Sequence, residues 1–130
     1  MAKLTQEDLL EIFHALKKEL KPYEKGTIKA LFDMEGKYDL WSVKKVMAHG
    51  KMRDEVSFAA LIVQSSYVGF YFMPVYCNPE EMKAILSPEL LKCLKGKACF
   101  HIKKVDADLL KQVKAAMKAG YEQYKKNDWV

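Results

Sequence analysis

The sequence lacks the short signatures that announce a reaction. It has no glycine-rich phosphate loop, no repeated metal-ligand spacing and no nucleophile placed with its base, so no chemistry is named by motif. Its three cysteines, Cys77, Cys93 and Cys99, form an odd set without paired short spacings. Neither a disulfide framework nor a zinc module is signalled, and reduced thiols in a cytoplasm fit best. The densest apolar segment, Val68 to Tyr76, is broken by Gly69 and Pro74 and falls far below the roughly 20 residues a spanning helix needs. The opening MAKLTQEDLLEIF turns acidic after one lysine and has no long apolar run with a cleavage site, so it does not read as a secretory signal. A soluble, cytoplasmic protein without membrane association is expected.

What is present suits one domain over residues 1–130: half of the 130 residues are apolar, enough for a single core. The 22 basic and 17 acidic residues give a net charge of +5, but Lys and Glu are mixed along the chain. That mixture reads as solvated helix surface and permits, without specifying, attraction to an anionic partner.

Thr5 is a cap, followed by Gln6, Glu7 and Asp8 in the first turn of a helix whose stripe is Leu9, Ile12, Phe13, Leu16 and Leu20. Pro22 ends it, and His14 beside the stripe reads as a boundary residue. From Thr27 the period changes to two, with Ile28, Ala30, Phe32 and Met34 on one side of a half-buried strand. Glu35-Gly36-Lys37 turns into a second strand, Tyr38 to Val46, with Leu40 and Trp41 on opposite faces. His49-Gly50-Lys51 opens a polar loop to Asp54. Val56 to Val63 is apolar on both faces and reads as a central strand, joined through Gln64-Ser65-Ser66 to an aromatic strand, Tyr67 to Met73, which Pro74 closes.

Asn78-Pro79-Glu80-Glu81 and Ser87-Pro88-Glu89 are two successive helix starts, the second helix carrying Leu90, Leu91 and Leu94 and ending at Gly96. Ala98 to Lys103 is a last strand with Cys99, His101 and Lys103 on one side, and its pairing partner is not readable. Asp106 caps a final helix with the stripe Leu109, Leu110, Val113, Met117, Tyr121 and Tyr124, in which Gly120 is a propensity cost. Trp129 is expected to pack the tail. The order predicts an α+β fold: a mostly antiparallel sheet flanked by N-terminal, central short and C-terminal helices.

The segments YVGFYFMPVY at 67–76 and SPELLKCLKGKACFHIKK at 87–104, with the closing Trp129, give the chain a resemblance to the YdhG-like domains. That family is a domain of unknown function, and the resemblance covers nearly the whole chain. It implies the helix-sheet-helix layout, no catalytic set, and one associated role, a frataxin-like intracellular iron chaperone. Iron would then be the cofactor or cargo, although the acids Glu7, Asp8, Glu11, Glu80 and Glu81 are scattered where hard iron wants oxygen ligands grouped.

From the residues themselves no cofactor and no catalysis are expected. Cys93, Cys99 and His101 are the soft-ligand candidates, and Cys99 with His101 is the one thinkable nucleophilic pair. The expected binding surface is a sheet face carrying Ala59, Gly69, Tyr71, Met73, Cys99, His101 and Lys103, with Lys97 close by from the Gly96-Lys97 turn. Space at Gly69 beside tyrosine hydroxyls, an imidazole and ammonium groups suits a small anionic or phenolic ligand. Nucleic acid is not expected, because the aromatics fall in an apolar strand instead of alternating with lysines. No protein partner is indicated.

Overall fold

The computed structural model describes residues 4–48 and 50–130; His49, read above as loop, lies outside them. Thr5 caps α1 (Gln6–Leu20) reciprocally: its hydroxyl accepts from the Asp8 amide and its amide donates to the Asp8 carboxylate, both at 3.0 Å. Two donors that the helix cannot satisfy itself are thereby paired. The stripe Leu9, Ile12, Phe13, Leu16 and Leu20 is buried, and Pro22 tightens the exit into a 3-10 turn, Lys21–Tyr23.

Six strands form one antiparallel sheet. In chain order they are β1 (Ile28–Met34), β2 (Lys37–Ser42), β5 (Val56–Val63), β6 (Val68–Phe72), β7 (Leu94–Lys95) and β8 (Cys99–Ile102). In space they run β1-β2-β5-β6-β8-β7, so β8 finds its partner in β6. Between β2 and β5 the chain makes a separate ladder, β3 (Val46–Ala48) with β4 (Lys51–Arg53), where a polar loop and the end of a longer second strand are expected from sequence. Four helices follow: α2 (Met73–Cys77), α3 (Pro79–Ile85), α4 (Pro88–Cys93) and α5 (Ala107–Lys126). The fold is α+β, with helices at both ends of the described chain, and none of them is long and apolar enough to cross a membrane.

Two bulges decide which side chains enter the core. In β1 the register steps from Ala30 to Phe32, so Ile28 and Ala30 point inward while Phe32 and Met34 turn out, 44% and 55% exposed. The sequence expectation of one inward row through Met34 is therefore corrected at Leu31. In β5, Leu40 pairs with Ala59 and Trp41 with Ser57, leaving Phe58 as the extra residue, and Phe58 and Ala59 are both buried. The core joins Phe58, Leu61, Phe70, Phe72 and Phe100 of the sheet to Phe13, Leu16, Val113, Met117 and Tyr124 of α1 and α5.

Local corrections follow the same logic of competing partners. Pro74 does not merely stop β6; with Met73 it starts α2, whose first turn has no need of the missing amide donor. Asn78 precedes α3 without a side-chain capping bond, whereas Ser87 Oγ accepts from the Leu90 amide at 3.2 Å and caps α4. That helix ends at Cys93, and Gly96, at φ +82°, makes the turn between β7 and β8. Asp106 caps α5 as read, accepting from the Leu109 amide at 2.8 Å. Gly120 is no mere propensity cost: a Cβ there would lie 2.6 Å from Phe72 Cζ and 2.7 Å from Pro74 Cγ. The missing side chain lets α5 sit directly on the end of β6.

Candidate functional site

The register of the sheet assigns every strand residue to a face. Tyr38, Leu40, Leu61, Phe70, Phe72, Phe100 and Ile102 lie under the helices, and their neighbours in sequence lie on the other side. Two cross-strand rows run over that second face. One is Met34, Lys37, Ile62, Gly69 and His101; the other is Phe32, Asp39, Ala60, Tyr71, Cys99 and Lys95. Trp41 adds a third row between Lys29 and Ser57. Tyr71, Cys99, His101, Ile62 and Trp41 are all half-buried, the exposure of a sheet face roofed only by its own side chains.

Gly69, Tyr71, Cys99 and His101 of the expected surface are thus together. Lys103 follows β8 and is exposed, and strand alternation continues it on the His101 side. Three expectations are corrected. Ala59 pairs with Leu40 and Phe72 on the core side, and Ala60 takes its place on the open side. Met73 is the first residue of α2 and packs against the core. Lys97 lines a separate cavity of about 410 Å³ with Val75, Tyr76, Pro79 and Lys83, its Nζ 5.9 Å from the Tyr76 ring centre.

The space at Gly69 is filled, and its occupant is Tyr71. A Cβ at Gly69 would meet Tyr71 Cε2 at 2.9 Å, so the glycine lets the phenol lie flat along the sheet. Gln64 Nε2 reaches the Tyr71 hydroxyl at 3.4 Å. Burial, followed by the neighbouring Cys99 thiol, pushes the Tyr71 phenol up, and burial raises the Cys99 thiol against the opposing effect of its hydrogen bond with Tyr71. Both groups therefore keep their protons at neutral pH and are donors, not nucleophiles. The His101 ring stacks on Tyr67, centroids 3.8 Å apart and planes 11° from parallel. The Lys37 Nζ stands 3.9 Å over the Phe32 ring.

Charge on this face is one-sided. Lys29, Lys37 and Lys95 belong to it by register, and Lys29, Lys95 and Lys103 are exposed without an ion pair among the described residues. Asp39 is the one acid that a described strand places there. By contrast, the lysines of a shallow depression of about 520 Å³ on α1, lined by His14, Lys17, Lys18, Lys21 and Pro22, are largely committed. Lys17 holds Asp33 at 2.5 Å, Lys21 holds Glu24 at 3.2 Å, and His14 pairs with Glu35.

The soft-ligand set does not assemble. Cys93 closes α4 and lines another cavity with Glu89 and Asp106, which neither Cys99 nor His101 of β8 lines. Among the described residues no three of His, Cys, Asp and Glu are grouped to hold a metal ion. Glu7, Asp8 and Glu11 lie along α1, and Glu80 and Glu81 form the first turn of α3. Phe32, Trp41, Tyr67, Ala60, Lys29, Lys37 and Lys95 are members of the face that the sequence did not single out. For Trp41 the signal was its alternation with Leu40; which of the two pointed inward needed the sheet. No protein-family model, curated protein or solved structure matches the chain.

Proposed function

We propose that this chain is a small cytoplasmic binding module of YdhG-like type whose open sheet face receives a planar ligand carrying a phenol or a negative charge. The observation that carries this reading is the Tyr67–His101 stack beside the protonated Tyr71 and Cys99, on a half-buried face bordered by lysines. Stacked rings offer a flat apolar floor, the hydroxyl and thiol, bonded to each other, leave one donor between them for a ligand, and the ammonium groups offer opposite charge. The iron-chaperone alternative finds no such convergence, because the acids it would use sit on separate helices.

The test is a melting-temperature panel of phenolic carboxylates and mononucleotides on the parent protein and on Tyr71→Ala and His101→Ala. A ligand at ten times its dissociation constant adds about 1.4 kcal/mol to native stability, a shift of about 5 °C for a chain of this size. Shifts in the parent that both variants lose support the face. Shifts that survive both substitutions reject it.

A further inference from the structure

We propose that the natural occupant of this face is a single-stranded nucleic acid, an inference that rests on the binding reading above and names its ligand class. The shape of the site argues for a polymer. A small molecule held tightly is buried over most of its surface in a concave pocket, and a half-exposed sheet face can cover only one side of a single ring. Affinity on such a platform accumulates only when several rings, joined together, stack at once.

The aromatics are spaced for that. Phe32 stands on β1, Trp41 on β2, Tyr71 on β6 and His101 on β8, with Tyr67 stacked on His101 just before β6. From β1 to β8 there are four strand spacings, about 19 Å at the usual separation, enough for several bases laid side by side. The aromatic strand itself carries no lysine, as the sequence expectation has it, but the pleat buries only Phe70 and Phe72 and sends Tyr71 outward, and the lysines of the face come from other strands. Lys29, Lys95 and Lys103 then lie around the rings where a phosphate backbone would run, Lys37 adds a positive charge over the Phe32 ring, and Asp39 is the single charge against it. Unpaired bases are specified by the rings themselves: stacking on an open side chain needs a base face that a duplex already covers.

Fluorescence anisotropy with labelled oligothymidylate and oligouridylate of about 12 nucleotides, at about 50 mM salt, tests this with the full chain. Both strands share the stacking and phosphate chemistry, and the two arms decide whether DNA or RNA is preferred. Trp41→Ala and Tyr71→Ala are each expected to weaken binding roughly 5- to 150-fold, with circular dichroism and melting temperature little changed. Lys37→Ala and Lys95→Ala are each expected to reduce the slope of log affinity against log salt by about 0.7, Lys18→Ala on α1 to leave it unchanged, and Asp39→Asn to tighten binding a few-fold. The inference is overturned if a duplex of the same length binds as well as the single strands. It is also overturned, with the binding module left standing, if the oligonucleotides bind no tighter than the mononucleotides or phenolic carboxylates that shift the melting temperature. If sedimentation shows a dimer that Tyr71→Ala dissolves and no oligonucleotide binds, the occupant is a second copy of the chain and the inference fails. Failure of every ligand, small and polymeric, rejects both readings.

Discussion

The two faces of the sheet are cut from the same strands and have opposite company. Along β6, Val68, Phe70 and Phe72 are fully buried beneath the helices, while Tyr71, between the two phenylalanines, is half-exposed beside His101 and Cys99. On the helix side every side chain is fixed by close neighbours, and Gly120 shows the tolerance: there is no room for one methyl group. On the open side the comparably tight glycine among the described residues, Gly69, meets the far end of a tyrosine ring, which can swing away. Substitutions on one side are therefore expected to be read in stability, and on the other, under the proposed function, in binding.

The largest expected break is Phe72→Ala. Its ring is buried between Phe58, Phe70 and α5, and the cavity is expected to cost about 3–5 kcal/mol in urea unfolding. A loss below about 1 kcal/mol would sink the core assignment of that face. Next comes Gly120→Ala, which gains helix propensity and yet forces Phe72 and Pro74 apart. A net destabilisation of about 1–3 kcal/mol is expected, and a stabilised variant would mean that α5 is not seated as described.

Tyr38→Phe sharpens the comparison at the rim of the core. The fully buried Tyr38 donates to Glu24 at 2.6 Å, and this bond, more than Lys21, holds the Glu24 carboxyl below its usual range. A depressed carboxyl stabilises the fold above the unfolded value of about 4.3, and that contribution is lost as pH falls through the lower native value. The variant is expected to lose about 1.5 kcal/mol at pH 7 and to converge with the parent under strong acid. Parallel stability curves for the two proteins down to about pH 2 would refute the pairing. The smallest effect on stability belongs to Gly69→Leu, expected to change unfolding by less than about 1 kcal/mol because only the Tyr71 ring must move. The same substitution is expected to abolish Tyr71-dependent ligand shifts, and a variant that still binds would separate the site from that ring.

The fold was legible where one signal dominates. The cap at Thr5, the period of α1 and α5 and the apolar β5–β6 pair are local patterns, and the structure follows them. It departs where register intervenes. A single extra residue at Leu31 sends Phe32 and Met34 outward, and the extra Phe58 brings Ala59 inward and leaves Ala60 on the open face. No composition rule reports a bulge, because it depends on the partner strand. Half of the candidate surface was found by alternation within β6 and β8. Its other half, on β1, β2 and β7, became visible only with the strand order, and Met73 was lost to it because Pro74 opens a helix.

The C-terminal segment closes across the chain over great sequence distances. Trp129 donates from Nε1 to the Met47 carbonyl at 3.2 Å, Ser42 Oγ donates to the Trp129 carbonyl at 2.6 Å, and Lys44 holds Asp128 at 2.8 Å. The edge of the Trp129 ring also meets the buried Tyr124, centroids 5.0 Å apart. Contacts separated by 82, 87 and 84 residues close long loops and offer little until both ends are already in place. In kinetic terms they are expected to act as a latch that shuts late and opens early. Trp129→Ala is therefore expected to raise the unfolding rate about tenfold for each 1.4 kcal/mol it removes, and to leave the refolding arm of the chevron almost where it was. A refolding rate that falls in step would place the latch in the folding nucleus instead.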